Sequence, residues 1–467
     1  MGLMNIVARN HCDILIRNGY VCTMDSQRTI HPSGAIALSS NNIVAVGPDR
    51  EIAAKWQATE TIDAKGGIVH PGFVEAHLHI TANLSRGQFG RDAAKQTASG
   101  PNYADWKAAL NADDEKVATE LGSLELLRHG FTTFVEPGSA FEPDMIAAGA
   151  RAVGIRCTLA DPYLWDDMGL MDIIGGLKSG ALLDRAPPTR ARVAKVLGGQ
   201  LHRNCDINDT VHGHIAIYGE GTASDELMQM GKDAADTAGT ILNFHLGFDL
   251  KLAEAMEARW QCSRFEYLSN RGILGSNVTL VHMNMIKDVD IAPLEASHPS
   301  LVWCPLGYVA RGTGRQIRTR LPEMMKRGLN VALGTDSARN CTVGDAGFLA
   351  LHLGGEAGVT LRADDVMSML TMAGAKAAGL SSRIGSIEPR KRADIVIRDS
   401  RIIEMQPAFD PVFQLIAVAH GPSANTVLVN GRIVLNNHQS TLIDEDDVSF
   451  RARHSAISIA QRLGLRA

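Results

Sequence analysis

From about residue 69 to 380, short apolar runs rich in β-branched residues alternate with longer amphipathic stretches, the pattern of repeated strand–helix units. Eight strands are predicted: GIVHPGFVEA (67–76), FTTFVE (131–136), VGIRCTLA (153–160), HGHIAIY (212–218), TILNFHL (240–246), NVTLVHM (277–283), SLVWCP (300–305) and LNVALGTD (329–336). Between them lie helix-like segments such as 113–130, which Gly130 is placed to stop, and 249–270. Eight such units predict an α/β fold, a (β/α)8 TIM-like barrel with its site at the C-terminal ends of the strands. The flanks read differently. Residues 1–66 and 385–440 carry short alternating strands broken by Asn-Gly, Ser-Asn-Asn and Gly-Pro turns, without helices between them. They are expected to pair into one small β-sandwich domain around a barrel of residues 67–384, and residues 441–467 to form a closing helix.

Composition narrows the function. The chain has 467 residues, 45% hydrophobic and 21% charged, enough for a large domain and a smaller one. A net charge of −5 offers no basic face for nucleic acid, and nowhere do about 18 apolar residues run together as a membrane span requires. The N-terminal stretch has polar residues where a secretory signal would be apolar, and the seven cysteines are scattered without a CxxC pair. A cytoplasmic protein acting on a small molecule, with neither nucleic acid nor membrane as partner, is expected.

The candidate chemistry lies in where the histidines fall. His77 and His79 follow the first predicted strand, His245 ends the fifth, His282 the sixth and Asp336 the eighth, so all five face one mouth. Imidazole nitrogen and carboxylate oxygen together suit one divalent ion per chain, whether zinc, cobalt, iron or manganese. A metal-activated hydroxide is the expected nucleophile, with Asp336 as base and His282 polarising the scissile group or passing on a proton. Substrate contacts are expected from Trp165, Tyr218, Glu220, Phe248, Trp303, Tyr308 and Asn340, with Glu136, Asp161 and Arg339 as further lining. Histidines away from the strand ends, such as His70 and His129, are read as packing or surface residues.

In this order and spacing, several segments resemble the amidohydrolase superfamily, in its cytosine-deaminase-like chlorohydrolase/deaminase branch. They are PGFVEAHLHI with LSRG, ELLRHGFTTFVE, GTDS, AGAKAAGLSSRIGSIEPRKRADIVI and VLVNGRIV. The resemblance implies a mononuclear metal site at His77, His79, His245 and Asp336, with His282 on or near the metal, and a homodimer or larger homo-oligomer. Four departures stand out. The strand 4 histidine often seen before a YTxS-like turn is not clearly matched, Tyr218 standing roughly in its place. Deaminases of the branch carry HxxE on strand 5, where this chain has HLGF with Phe248; CPLGY (304–308) replaces CPxSN; and Glu75 replaces an aspartate. No lysine lies on strand 4, which disfavours a carbamylated-lysine, two-metal site. The expected activity is hydrolysis of a small neutral amide, urea, carbamate or thiocarbamate, of the kind met in xenobiotic degradation. A deaminase of an amino-heterocycle and a non-catalytic scaffold of the same fold are the alternatives.

Overall fold

The computed structural model describes residues 9–89, 100–173, 179–337, 339 and 341–466. Its centre is the expected ring of parallel strands with helices outside. The strands fall into a four-stranded arc and a five-stranded arc, so the ladder is not continuous around the ring. The first arc holds Phe73–Glu75, Phe131–Glu136, Arg156–Leu159 and Val211–Gly213; the second holds Ile215–Gly219, Leu242–Leu246, Val278–His282, Ser300–Trp303 and Asn330–Leu333. The predicted fourth strand is thus one run interrupted at His214, pairing with strand three on one side and strand five on the other. At the opposite seam the arcs meet through a parallel bridge between Leu78 and Asp336.

The predicted first strand is divided between two structures. Ile68–Pro71 pairs with Tyr20–Val21 and, on its other edge, with Ile395–Arg398, while only Phe73–Glu75 enters the barrel. Both halves carry the same apolar pattern, so hydrophobicity alone could not separate them. Gly72 makes the step between them, where a Cβ would lie 1.9 Å from Thr132 Oγ1.

Because Ile68–Pro71 joins the two terminal segments edge to edge, they form a single nine-stranded ladder among the described residues, where a sandwich of separate sheets was expected. Alternation buries both faces. Ile16, Ile36 and Leu38 share a core with Ile395 and Leu428, while Leu15, Ala35 and Ala37 pack with Ile52 of the helix Asp49–Lys55. The predicted 249–270 helix is two, Leu250–Trp260 and Arg264–Asn270, because Gln261 takes a left-handed conformation (φ 56°) and Ser263 caps the second. The closing helix spans Glu445–Arg462. Among the described residues no helix is long and apolar enough to cross a membrane.

Candidate metal centre

The HxH pair lies just beyond its strand, which ends at Glu75, in a short return tied to strand eight. The Ala76 amide donates to Leu333, Asp336 to His77, and His79 to Asp336. Those backbone bonds fix His77, His79 and Asp336 as one unit: Asp336 Oδ1 lies 3.2 Å from His79 Nε2 and 3.8 Å from His77 Nε2. His245 and His282 close the cluster, their rings 4.7 and 5.6 Å from that of His77. All five side chains are buried. His77, His245 and His282 form one group with donor atoms close enough to share an ion, and His77, His79 and Asp336 form another.

Alternation along strand six would set His282 opposite to Val281. It reaches the mouth because His282 and Met283 take positive φ values of 78° and 50°, and Asp336 does likewise at 65°. Such backbone in non-glycine residues costs of order 1–3 kcal/mol each and persists where surrounding structure enforces it, commonly at functional sites. Gly219 seats strand five: a Cβ there would meet the His245 carbonyl oxygen at 2.4 Å.

The donor set fits a divalent ion. Among the described residues, both ring nitrogens of His77 and Nε2 of His245 are buried without a hydrogen-bond partner, a costly arrangement that a shared ligand relieves. The remaining nitrogens are oriented as metal-ligating histidines are. His245 Nδ1 donates to the Tyr218 carbonyl at 2.6 Å; His79 Nδ1 donates to Ser139 Oγ at 2.7 Å, whose hydroxyl donates to Glu136 Oε1 at 2.5 Å. Glu75 accepts the amides of His77 and Thr335, bracing the return from below. Burial pushes its carboxyl up to about 8. For Asp336 burial also works upward, but the Arg311 guanidinium, 3.0 Å from Oδ2, with His79 and His282, holds the carboxyl well below the usual carboxylate range. Burial pushes His282 down to about 3.

Around the cluster stands an aromatic wall. Tyr218 stacks on His245 at 5.0 Å, Trp165 and Tyr163 lie 5.3 and 5.7 Å from Tyr218, and Phe248 is 5.8 Å from His282. The structure therefore brings Tyr218 and Phe248 to the cluster. Trp165 lies one ring behind, its indole donating to the Ala186 carbonyl.

Four expected contacts are otherwise engaged. Glu220 is committed to a buried ion pair with Arg264 at 2.6 Å and to the Gly247 amide. Trp303 has the wrong parity: it packs in the main apolar cluster, whereas Val302 and Cys304 lie with Ala76, Val281 and Ala332. The Tyr308 hydroxyl bonds to Ile317, and Asp161 accepts the Gly198 amide. Asn340 lies outside the described residues. Lys195 is exposed on the helix Arg190–Val196.

The sequence reading passed over three residues. Gly307 of CPLGY brings its backbone against Asp336, where a Cβ would lie 3.2 Å from Oδ2. Arg311, one turn on, pairs with Asp336 and lies over the Phe248 ring at 5.7 Å. Lys107 is buried beside Tyr103 and Tyr163, and burial pushes its ammonium down to about 8. A lysine inside an amphipathic helix carries no sequence signal separating it from a solvated one.

This geometry is that of a parallel-strand barrel with a candidate histidine–aspartate metal site at its mouth. Residues 68–434 match the Amidohydrolase family, and the chain belongs to it. It is a hydrolytic enzyme of that superfamily, which sets the scaffold alternative aside. It is 27% identical to a 5-methylthioadenosine/S-adenosylhomocysteine deaminase of Symbiobacterium thermophilum, over 96% of this chain and 99% of that one. It is 29% identical to a 5'-deoxyadenosine deaminase of Methanosarcina mazei, over 97% and 99%. Among solved structures, an adenosine deaminase from Xanthomonas campestris with bound zinc superposes with a TM-score of 0.84 at 23% identity, covering 97% of this chain and all of that one. Atrazine chlorohydrolase TrzN from Arthrobacter aurescens, complexed with zinc, gives 0.77 at 22%, over 95% and all of it.

Proposed function

We propose that this enzyme hydrolyses a non-peptide C–N or carbonyl–heteroatom bond in a small neutral amide, urea, carbamate or thiocarbamate. The observation that carries this reading is Phe248, whose ring stands against His282 with the Arg311 guanidinium over it. Where a deaminase of the branch would have a glutamate to protonate a heterocyclic nitrogen, this site has an apolar face. Glu75, Glu136 and Glu220 do not replace it, being held by backbone amides, Ser139 and Arg264 respectively.

His77, His79, His245, His282 and Asp336 would hold one divalent ion, which when bound lowers the pKa of a water and polarises an acyl oxygen. The chain's own residues do the rest. Asp336, kept as a carboxylate by Arg311, takes the attacking water's proton. His282 orients the scissile group, and Tyr218 and Phe248 exclude bulk water around it.

Deamination of an amino-heterocycle is the second reading. It is favoured by full-length likeness to deaminases of adenosine-type nucleosides and by the stacking wall of Tyr163, Trp165 and Tyr218. Elemental analysis of the purified chain, followed by a product assay, decides between them. About one ion per protomer, with an amine or thiol released from a carbonyl compound, is expected. Ammonia released from 5'-deoxyadenosine, with no turnover of any carbonyl compound, would overturn the first reading in favour of the second.

A further inference from the structure

Lys107 lies on the helix Tyr103–Ala109, which Asn102 and Asp105 start with a reciprocal capping box. Tyr103 and Lys107 are four residues apart and share a face of that helix. The lysine is 4% exposed, and its Nζ lies 5.1 Å from the Tyr103 ring centroid and 5.8 Å from that of Tyr163. The Tyr103 hydroxyl is buried beside the Ser337 side chain, and the Arg339 guanidinium, from the loop after strand eight, covers that ring at 3.9 Å. Tyr163 leads directly to the metal centre: its hydroxyl donates to the carbonyl of Ser139, whose side chain receives His79.

Among the described residues this ammonium makes no hydrogen bond or ion pair. Aromatic faces attract a cation but offer no lone pair to three N–H donors, so a buried ammonium held only by rings is left short of an acceptor. Arg398, equally buried and also without a carboxylate partner, donates to His70, Ser423 and the His129 carbonyl. Three described acceptors meet Arg398 and none meets Lys107, so a ligand oxygen in the mouth would find the ammonium's donors free of the described residues.

We propose that Lys107 is a substrate-contacting residue, its ammonium donating to an oxygen acceptor of the substrate. On the reading proposed above, on which this identification rests, that acceptor is the acyl oxygen. The Tyr103 hydroxyl lies one helical turn away as a second donor. A carbonyl compound supplies that oxygen, whereas a bare amino-heterocycle offers only ring nitrogens as acceptors.

The test compares Lys107→Met and Lys107→Arg with the metal-loaded wild type, on a panel of amides, ureas, carbamates and thiocarbamates and on 5'-deoxyadenosine. Lys107→Met is expected to lower kcat/KM on the carbonyl substrate about 100-fold, as loss of a charged hydrogen bond does, with partial rescue by Lys107→Arg. Its thermal midpoint in the absence of substrate is expected to stay level or rise, because an unsatisfied buried charge has been removed. A lowered midpoint would make Lys107 structural and overturn the inference, as would kcat/KM within threefold of wild type. Failure of the functional reading looks different: wild type turns over only the nucleoside. In that case loss of nucleoside turnover in Lys107→Met, with the midpoint kept, retains Lys107 as a contact to a nucleoside oxygen, and unchanged turnover overturns it.

Discussion

The two ends of the barrel differ in how their buried charges are met, although the floor too holds buried atoms without a partner among the described residues, at Arg156 Nη1, Arg383 Nε and both ring nitrogens of His214. At the N-terminal ends of the strands, Arg156 meets Asp394 through two bonds of 2.8 and 3.0 Å, and Asp394 also accepts the Asn430 amide. Arg398 there bridges His70, Ser423 and His129, and Arg383 donates to His212. At the C-terminal ends, His77 and His245 carry buried ring nitrogens with no partner among the described residues, and Asp336 and His282 sit in left-handed backbone. The floor uses pairing to tie the terminal sheet to the barrel. The mouth gathers ionisable side chains and left-handed backbone at the expense of stability, the pattern of a functional site.

The sharpest way to break that contrast is at Asp336. Asp336→Asn is expected to lower turnover by about 10⁴-fold, to background, with the fold retained, as for loss of a general base. Circular dichroism and steady-state kinetics check it, and retained activity would remove Asp336 as the base. The mirror experiment is Asp394→Ala in the floor, which leaves Arg156 buried and uncompensated. It should cost about 3–5 kcal/mol in urea unfolding with little change in kcat. A selective loss of kcat there would dissolve the distinction between the ends.

Acidification probes the same floor more gently. Burial, with the Arg383 charge, pushes His212 down to about 4, and burial pushes His214 to about 3. Their unfolded-state values lie near 6.5, so below that pH the unfolded chain binds protons that the folded chain refuses. Stability is therefore full above about pH 6.5, and each group removes about 1.4 kcal/mol per pH unit until its folded value is reached. Urea midpoints measured from pH 7.5 to 5 should fall accordingly, and His212→Gln should flatten the slope; an unchanged slope would mean that His212 is protonated in the fold. The smallest effect is expected from Phe248→Glu, which should raise ammonia release from amino-heterocycles by no more than about tenfold, roughly 1.4 kcal/mol off the barrier. A fully active deaminase would show that Phe248 alone sets the reaction.

Much of this was legible in the chain. Strand FTTFVE spans Phe131–Glu136 as read, and the four histidines and one aspartate at the strand ends do meet, because strand ends in a barrel of parallel strands share one mouth. His70 and His129, read as packing residues, take their places around Arg398. Misreadings came where sequence neighbours diverge in space. Trp303 and Cys304 are adjacent yet lie in different apolar clusters, and Glu220 follows the strand of Tyr218 yet answers to Arg264, 44 positions away.

By itself, then, the sequence determined the periodicities, hence the strand–helix alternation, the ring, and which histidines and aspartate gather at its mouth. Those follow from local rules, period two in strands and 3.6 in helices. Only the tertiary structure decided that Ile68–Pro71 belongs to the terminal sheet, that Arg311 stands on Asp336, and that Lys107 is buried between tyrosine rings. Each depends on which distant segment arrives alongside. Hydrophobic pattern sets how many faces a segment buries, but the partner on that face is chosen by the packing of the whole chain.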